Sequence, residues 1–219
     1  MNKFNSSYVG LRYDLLQFIE GENLSVLDVG CATGVNGNFL IDNNLSKKII
    51  GIELDSKMAK KAALTYDNVF VGDLNSVDFI NHILNNTKSF DYIIFGDILE
   101  HLIDPFYALK ELSKVLNKNG RIIISVPNIA HLELFMQVFI KGTWPKNERG
   151  IFDKTHLSWF TRKDIQKLII KAGLETITYQ RKLRGRDANP KFNILTKIVK
   201  VINKDWVTFQ HIIVCKHGK

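Results

Sequence analysis

A glycine-rich turn, Asp28-Val-Gly-Cys-Ala-Thr-Gly34, separates an apolar run from an amphipathic stretch near the start of the chain. Such a turn lets backbone N–H groups approach a ligand closely, with the N-terminus of a helix behind them. The spacing differs from the G-x-G-x-x-G of nicotinamide and flavin sites, and the sequence contains no Walker A loop. The turn therefore argues against a pyrophosphate ligand. Its candidate binding residues are Asp28, Gly30, Cys31, Ala32 and Gly34.

Two carboxylates end or follow the next two apolar runs. Glu53 lies about 20 residues after the turn, where a carboxylate accepts hydrogen bonds from both hydroxyls of a ribose. Asp73 follows the third run and is able to accept from the exocyclic amine of an adenine. Leu54 and Leu74 come directly after these carboxylates and are placed to sandwich the base. Three strand ends thus offer groups for an amino acid moiety, a ribose and a base.

Three histidines are candidates for removing a proton from a substrate. His101 ends the segment Asp97-Ile-Leu-Glu-His, and His131 follows Pro127-Asn128. His156 ends Asp153-Lys-Thr-His, where Asp153 is placed to hold the imidazole in one tautomer. The candidate catalytic residues are therefore His156, His131, His101 and Asp153, and a purely structural role is the alternative for each.

Five runs rich in β-branched and aromatic residues predict the strands that must position these side chains. They are Leu24–Val29, Lys48–Glu53, Asn68–Val71, Phe90–Phe95 and Arg121–Val126, and most lack the polar alternation of a half-exposed strand. Amphipathic helices are predicted between them. The clearest has Asp104 as N-cap, Pro105 at N1 and Asn119-Gly120 as its stop, and another runs from a capping box at Thr161 and Asp164 to Gly173. This alternation predicts an α/β doubly wound sheet with ligands at the carboxyl ends of its strands.

In combination these segments resemble class I S-adenosylmethionine-dependent methyltransferases, over residues from about 8 to 215. The resemblance rests on the glycine turn, Gly51-Ile-Glu-Leu-Asp55, Gly72-Asp-Leu74, the segment 90–102 and the segment 120–128. It implies a mostly parallel seven-stranded sheet whose last strand, here Val207–Val214, is antiparallel. It also implies S-adenosyl-L-methionine as cofactor and S-adenosyl-L-homocysteine as product. The cofactor residues it implies are Gly30, Cys31, Gly34, Glu53, Asp73, Leu74 and the pair Gly96-Asp97, with Ala32 in place of the family's middle glycine.

The predicted organisation is a single domain over 1–219, with a cofactor-binding core in 1–126 and acceptor-side insertions in 127–160 and 180–205. A further strand is predicted over Leu174–Tyr179, and helices over His131–Lys141 and Lys191–Asn203. We expect the helix of His131–Lys141 to act as a lid over the acceptor and also to pack into the core, in preference to contacting a membrane.

Two resemblances bear on the acceptor. The segment Gly150–Thr161 is similar to one in a methyltransferase subfamily of bacterial surface-polysaccharide and secondary-metabolite biosynthesis, which implies O-methylation of a sugar or of a nucleotide- or lipid-linked carbohydrate. Quinone-pathway O-methyltransferases hold a divalent cation with a similar acidic-x-x-Glu-His pattern. They imply the alternative of a cation on Asp97, Glu100 and His101 and a phenolic or quinone-like acceptor. We expect no metal, with Glu100 and His101 orienting the loop. A catalytically silent, cofactor-binding partner subunit is the alternative from another functional class.

The charge of the chain is divided unevenly between its halves. Residues 1–120 carry 11 basic and 15 acidic side chains, net −4, whereas residues 121–219 carry 19 and 7, net +12. The basic clusters are Arg181, Lys182, Arg184 and Arg186 in one loop and Lys197, Lys200 and Lys204 on one helix. We expect an anionic acceptor, with a membrane surface as the alternative. Nucleic acid is not favoured, because the Asn/Asp-Pro-Pro-Tyr/Phe loop of amino-directed nucleic-acid methyltransferases is absent.

The two cysteines, Cys31 and Cys215, form no disulfide framework and no metal spacing, and nothing resembles a secretory leader. No apolar run approaches the roughly 18–20 residues of a membrane span. These features predict a cytoplasmic protein, with peripheral contact to a membrane as an alternative.

Overall fold

The computed structural model describes residues 10–183 and 199–218. Its strands are β1 Leu24–Val29, β2 Ser46–Glu53, β3 Asn68–Val71, β4 Phe90–Gly96, β5 Leu116–Pro127, β6 Leu174–Lys182 and β7 Gln210–His217. They form one seven-stranded sheet in the order β3-β2-β1-β4-β5-β7-β6. The pairs from β3 to β5 are parallel, and β7 is antiparallel to both of its neighbours. The predicted fold class, including the antiparallel last strand, is confirmed.

Helices connect the strands on both sides of the sheet. They are α1 Tyr13–Leu16, α2 Val35–Asp42, α3 Ser56–Ala62, α4 Val77–Asn86, α5 Pro105–Ser113, α6 Leu132–Leu134 and α7 Arg162–Lys171. The predicted caps are present: the Asp104 carboxylate accepts the backbone N–H of Tyr107, and Thr161 and Asp164 form a capping box. These contacts satisfy N–H groups that have no partner inside a helix, which fixes where α5 and α7 begin.

Alternate residues of the central strands enter two separate apolar clusters. In β4, Ile93 and Phe95 belong to one cluster, and Tyr92 and Ile94 to the other. Successive side chains of a strand point to opposite faces of the sheet, so both faces here are covered by apolar side chains. This burial on both faces is why the strand runs lack polar alternation.

The boundaries around β5 and β7 differ from the prediction. The helix after Asp104 ends at Ser113, and β5 begins at Leu116, which pairs with Phe90 before the register shifts. Leu116 is a buried strand residue, although it also fits the helical spacing of the preceding segment. A 3₁₀ turn over Lys204–Val207 delays β7 to Gln210.

The segment after β5 is helical, as predicted, but it is not part of the core. It starts as α6, with His131 as its N-cap, and continues as a π-helix over Phe135–Ile140. None of the residues in either part is buried, so the predicted core packing of this helix is wrong. Residues 199–202 are helical, whereas the rest of the helix predicted over Lys191–Asn203 lies mainly outside the described residues. None of the described helices has the length and hydropathy needed to span a membrane.

Candidate active site

A cleft of about 470 Å³ lies at the carboxyl ends of the parallel strands, within the size range of small-molecule sites. Its wall is built from the turn after β1, the ends of β2, β3 and β4, and the segment before α1. The predicted residues that it brings together are Gly30, Cys31, Ala32, Glu53, Leu54, Asp73, Leu74, Gly96 and Asp97. The strand order explains this convergence, because β1 lies between β2 and β4.

The glycine turn is held in a left-handed backbone conformation. Gly30 has φ of 74°, and Ala32 has φ of 49°, a region that favours glycine. The N–H groups of Gly30 and Cys31 donate to the carbonyl of Ile52, 2.8 and 3.1 Å away, which ties the turn to the end of β2. A Cβ on Gly30 would stand 2.0 Å from the Cδ1 of Ile98, so this close approach requires glycine.

Glu53 is oriented by two backbone donors. One carboxylate oxygen accepts the N–H of Ala32 and the other accepts the N–H of Asp55, each at 2.8 Å. Each carboxylate oxygen has two lone pairs, so both retain acceptor capacity toward the cleft. The arrangement thus presents a fixed acceptor at the position where the sequence predicts ribose binding.

The end of β3 supplies the opposite part of the wall. One oxygen of Asp73 accepts from the backbone and side-chain N–H groups of Asn75, both at 2.9 Å. Leu54 is 68% exposed although it borders the cleft, and Leu74 packs against the core. Leu54 therefore offers apolar surface that a flat ring is able to cover.

Asp28 and Gly34 have different positions from the other predicted residues. Of the residues that the structure describes, neither belongs to the cleft wall. Asp28 is buried and accepts the hydroxyl of Tyr66 at 2.7 Å, and that hydroxyl accepts the N–H of Gly37. Burial raises the pKa of Asp28 to about 6, with a further rise from the charge of Glu53 and an opposing effect of Tyr66. Asp28 is thus a buried residue that links the start of the glycine turn to Tyr66 and α2.

Gly34 is required by helix packing. It is the N-cap of α2 with φ of 81°, and a Cβ there would stand 3.0 Å from the Cα of Ala62 in α3. Substitution at Gly34 is therefore strained by both its backbone angle and its contact with α3.

Asp97 is tied into a network that the sequence did not predict. Its carboxylate forms a short ion pair with Arg12, accepts the hydroxyl of Ser125 at 2.8 Å and contacts the amide of Gln210. Burial by itself lowers the pKa of Arg12, but the charges of Asp97 and Asp14 outweigh it and raise the pKa. Asp97 is therefore already engaged by protein groups, and it is not part of the group of potential metal ligands among the described residues.

A second pocket, of about 710 Å³, adjoins the cleft. The two cavities share Asp97 and His101 in their walls. The second pocket is otherwise lined by Glu100, by residues of 127–156 and by Phe209 and Gln210 next to the start of β7. We call it the acceptor pocket, because a molecule placed in it would face a ligand of the first cleft.

Glu100, His101 and His156 meet in the wall of the acceptor pocket. Each offers one potential ligand atom, and these atoms lie within 4.8 Å of one another. One carboxylate oxygen of Glu100 and the Nδ1 of His156 are buried without a hydrogen-bond partner. Burial, with the charge of Asp97, raises the pKa of Glu100 well above its usual range. Burial, with the charge of His101, lowers the pKa of His156, so its imidazole is neutral at pH 7.

Asp153 acts on His101 through Thr155. The Asp153 carboxylate accepts the Thr155 hydroxyl at 2.7 Å, and the same hydroxyl lies 3.1 Å from the Nδ1 of His101. A hydroxyl has one proton, so Thr155 accepts from His101, and the His101 proton is on Nδ1. The Nε2 of a neutral His101 is therefore its basic nitrogen. The sequence predicted instead that Asp153 holds the imidazole of His156.

The loop that contains Thr155 is fastened to Glu100. The backbone carbonyl of Glu100 accepts the N–H groups of Leu157 and Ser158, at 2.8 and 2.9 Å. The expected role of Glu100 and His101 concerned the segment after β4, and these bonds instead tie the later loop to it. The same bonds bring His156 close to Glu100 and His101.

His131 caps a helix and lies in the wall of neither cavity. Its Nδ1 accepts the N–H of Glu133 as the N-cap of α6, and its ring meets Phe209 edge to face at 6.1 Å. Among the described residues that form the two walls, His131 is absent, contrary to the prediction that it faces the cleft.

The acceptor pocket has an acidic wall, whereas the charge of the chain predicted an anionic acceptor. Its charged side chains include one arginine, Arg149, and five carboxyl groups, on Asp97, Glu100, Glu133, Glu148 and Asp153. Of the predicted basic loop, Arg181 pairs with Asp205 and Lys182 with Asp14, while Arg184 and Arg186 lie outside the described residues, as does Lys197 of the predicted basic helix. The basic excess therefore does not line the described part of this pocket.

Arg12 and Thr155 are among the site residues that were not predicted from the sequence, as are Ser125 and Gln210 of the Asp97 network. Arg12 lies 85 positions from Asp97 and belongs to a segment without a recognisable motif. Thr155 lies between two predicted residues, Asp153 and His156, and its position there is the signal that was available.

Comparison with known proteins shows which family the chain belongs to. Residues 3–179 match a family model described as a methyltransferase domain. The chain is 30% identical over 114 residues to a ubiquinone biosynthesis O-methyltransferase of Pelagibacter ubique, covering 49% of this chain and 43% of that protein. It is 33% identical over 168 residues to the uncharacterized protein MJ1252 of Methanocaldococcus jannaschii, covering 69% and 62%. The chain spans about half the length, or less, of the first curated relatives that it matches.

The fold agrees with this assignment. A SAM-dependent methyltransferase structure from Archaeoglobus fulgidus superposes with a TM-score of 0.66, over 96% of each chain and at 16% identity. With the family model covering most of the chain, these observations identify the protein as a member of the class I S-adenosylmethionine-dependent methyltransferase family.

Proposed function

We propose that this protein transfers the methyl group of S-adenosylmethionine to a hydroxyl oxygen of an acceptor in the acceptor pocket. The observation that carries the proposal is that the two cavities share Asp97 and His101, so that a cofactor and an acceptor would meet beside His101 and the neighbouring His156, whose ring centroids lie 4.9 Å apart. Methyl transfer from a sulfonium needs an acceptor held in line, exclusion of water and removal of the acceptor proton.

The cleft fits S-adenosylmethionine by the chemistry of its wall. Gly30, Cys31 and Ala32 of the glycine turn line the cleft, and the Glu53 carboxylate is held in place to accept from ribose hydroxyls. Asp73 and Leu54 supply an acceptor and an apolar face for the adenine. The cofactor supplies an activated methyl group, while these residues bind and orient it.

Two imidazoles are candidates for receiving the acceptor proton. His156 has a buried nitrogen without a partner, and its lowered pKa keeps it unprotonated at pH 7. His101 presents Nε2 as its basic nitrogen because Thr155 fixes the proton on Nδ1. We assign His156 as the base and His101 as the group that shares the proton or orients the acceptor.

Calorimetry with S-adenosylhomocysteine tests the cofactor assignment. We expect the wild-type protein to bind and Glu53→Ala to bind about 100-fold more weakly, because hydrogen bonds to a charged group contribute about 1.5–3 kcal/mol each. Glu22→Ala is the matched control, since Glu22 is exposed in the loop before β1, at the opposite end of the strand. Equal affinity of Glu53→Ala and the wild type would contradict the assignment, and no binding by the wild type would end the proposal.

The acceptor proposed from the sequence is a sugar or a nucleotide- or lipid-linked carbohydrate. A polyhydroxylated ring suits a pocket whose wall offers several carboxyl groups as acceptors. The acidic wall gives no support to an anionic form of that acceptor. A neutral carbohydrate is therefore the form that we propose.

A metal-assisted O-methyltransferase of a phenolic or quinone-like metabolite is the second candidate. Two observations favour it: the cluster of Glu100, His101 and His156, and the similarity to a ubiquinone biosynthesis O-methyltransferase. The two unpartnered buried atoms are suitable ligands, and separations within 4.8 Å are slightly wider than the roughly 3–4 Å between ligands of one ion with bonds of about 2.1 Å. His156 replaces the predicted Asp97 in this set. A bound cation would be held by these three side chains and would lower the pKa of an acceptor hydroxyl.

A panel of labelled-methyl transfer reactions separates the candidates. Catechols and neutral sugars are offered as acceptors with and without a chelator, and Mn²⁺ binding is measured by calorimetry on wild type and Glu100→Gln. The metal candidate predicts Mn²⁺ binding that Glu100→Gln removes, together with chelator-sensitive methylation of catechols. Chelator-resistant methylation of sugars would support the first candidate. Tight S-adenosylhomocysteine binding with no transfer to any acceptor would favour the silent partner subunit.

A further inference from the structure

An exposed apolar surface lies on the segment that follows β5. We call it the aromatic surface, and it comprises Phe135, Met136, Phe139, Ile140, Trp144 and Trp159. Phe139 and Ile140 are the most exposed, at 70% and 61%. Isolated apolar residues on a surface are common, but a group of six in neighbouring segments marks an interaction site.

Ring contacts join four of these side chains in two pairs, and a backbone bond links the segments that carry them. The rings of Phe135 and Phe139 stack with centroids 5.5 Å apart, and Trp144 meets Trp159 edge to face at 6.0 Å. The N–H of Thr143 donates to the carbonyl of Gln137 at 2.9 Å. This bond holds the residues before Trp144 against the π-helix. The surface is therefore preformed and needs no rearrangement to be presented.

Cations border this surface. Lys141, Lys146 and Arg149 are exposed in the same segment, and Glu148 forms an ion pair with Lys154 at 2.6 Å. Tryptophan and lysine together are typical of membrane interfaces, where the rings enter the headgroup region and the cations meet anionic lipids. Protein–protein interfaces share the enrichment in Trp, Phe and Met but are depleted in lysine. The bordering lysines therefore favour an anionic lipid surface over a protein partner.

From these contacts we infer that the aromatic surface docks the protein on the face of an anionic lipid membrane. This differs from the expectation from the sequence, which preferred a lid and core packing for this helix, because none of its residues is buried. Phe139 and Ile140 enter the headgroup layer, and Lys141 and Lys146 contact the lipid phosphates. Two signals of this kind act together in peripheral binding, because apolar insertion and charge attraction add. The inference goes beyond the proposed function and does not depend on it, since it concerns a surface outside the two cavities.

The membrane-facing segment also borders the acceptor pocket. Glu133, Asn147 and Arg149 line the pocket and belong to the segment that carries the aromatic surface. Docking would therefore bring the mouth of the acceptor pocket close to the lipid headgroups. Docking would also give a role to Lys141 and Lys146, two basic residues of the second half of the chain that do not line the pocket.

Co-sedimentation of the full chain with lipid vesicles tests the inference. Vesicles of phosphatidylcholine with phosphatidylglycerol are compared with vesicles of phosphatidylcholine alone. We expect binding to the anionic vesicles that falls at least about tenfold in Phe139→Ser/Ile140→Ser, through loss of apolar insertion. Lys141→Glu/Lys146→Glu should lose a similar factor on anionic vesicles, because each cation near such a surface adds to the attraction.

Matched controls carry the same changes elsewhere. Ile103→Ser/Ile170→Ser replaces two residues that are 75% and 71% exposed, and Lys163→Glu/Lys167→Glu reverses two exposed cations of α7. Both controls should bind vesicles as the wild type does, and all variants should bind S-adenosylhomocysteine with unchanged affinity, which shows that they fold. Failure of the wild type to bind, or equal binding by Phe139→Ser/Ile140→Ser, would overturn the inference. A wild-type dimer in analytical ultracentrifugation that Phe139→Ser/Ile140→Ser dissociates would assign the surface to a second copy instead.

Discussion

The cofactor cleft and the acceptor pocket adjoin each other but are built from different kinds of structure. The cleft is formed at the ends of four neighbouring parallel strands, each of which delivers its residues directly after an apolar run. The acceptor pocket is formed mostly by the irregular segment 127–156 and the start of β7. Strand ends give the first cavity a framework set by the sheet, whereas loops give the second cavity freedom to vary its chemistry.

This comparison predicts that substitutions in the two cavities have separable effects. Changes in the cleft should alter the affinity for S-adenosylhomocysteine, and changes in the acceptor pocket should alter the rate of methyl transfer. The following four experiments test that division, in order of decreasing expected effect.

His156→Ala should have the largest effect on turnover. We expect the rate to fall by about 10²–10⁴-fold, as for loss of a general base, while the affinity for S-adenosylhomocysteine stays unchanged. His82→Ala, at an exposed position of α4, is the control. The rate is measured with labelled S-adenosylmethionine and the acceptor that the panel identifies. A full rate would move the assignment to His101, and a large loss of cofactor affinity would show that the two cavities are not separable.

Asp28→Asn should change stability and leave catalysis almost untouched. The pKa of Asp28 is raised to about 6 by burial, so the folded protein binds this proton more tightly than the unfolded chain does. The contribution to the free energy of unfolding is therefore present at low pH and is lost as the pH rises from about 4 to about 6. The loss is on the order of 2–3 kcal/mol, at 1.36 kcal/mol for each pKa unit.

Denaturant unfolding at several pH values measures this effect. The difference in stability between Asp28→Asn and the wild type should be smallest near pH 4 and should increase in favour of the variant up to about pH 7. Asn keeps an oxygen to accept the Tyr66 hydroxyl, so the hydrogen bond is retained. A constant difference across this pH range would show that Asp28 does not titrate as described. Loss of cofactor binding would place Asp28 in the cleft after all.

Thr155→Val should have an intermediate effect on turnover, exerted through His101, which lines both cavities, although Thr155 itself lies in the wall of the cleft. Without the hydroxyl, Asp153 no longer fixes the proton of His101 on Nδ1, and we expect turnover to fall about tenfold, the equivalent of one hydrogen bond. Thr155→Ser should restore the rate, and the pH dependence of turnover should shift in Thr155→Val and return in Thr155→Ser. A loss that serine does not restore would indicate packing by the threonine methyl group.

Ala32→Gly should have the smallest effect, and it concerns the cleft alone. Ala32 has φ of 49°, which costs an alanine about 1 kcal/mol relative to glycine. The greater entropy of glycine in the unfolded chain offsets much of this gain. We therefore expect a change in the free energy of unfolding within about 1 kcal/mol and little change in cofactor affinity. A marked loss of affinity in calorimetry would show that the methyl group of Ala32 contacts the cofactor.

The sequence was most informative where chemistry follows regular structure. Glu53 and Asp73 were predictable because a buried strand has a recognisable pattern and parallel strands end at one edge. The caps of α5 and α7 were predictable because they depend on residues within one helical turn. These signals are local, and the order of the strands in the sheet brings the residues together in one cleft.

The network around Asp97 and His101, where the two cavities meet, was less predictable because its contacts join distant positions. The hydroxyl of Thr155 meets His101 across 54 residues, and Arg12 meets Asp97 across 85. No periodicity records such contacts. The helix after His131 was predicted in place but not in burial, because a segment that is apolar on most sides fits both a core helix and an exposed surface.

The position of β7 has a consequence for how the chain reaches its folded state. β7 pairs with β5 on one side and β6 on the other, although it is the furthest of the three along the sequence. During synthesis, β6 therefore emerges before the strand that joins it to the sheet, and β5 keeps an open hydrogen-bonding edge until Gln210–His217 is available. Ile212 and Ile213 of β7 belong to the two opposite core clusters, so the arrival of one strand closes both faces at once. Deletion of β7 should leave a nascent-like species with an exposed edge that aggregates.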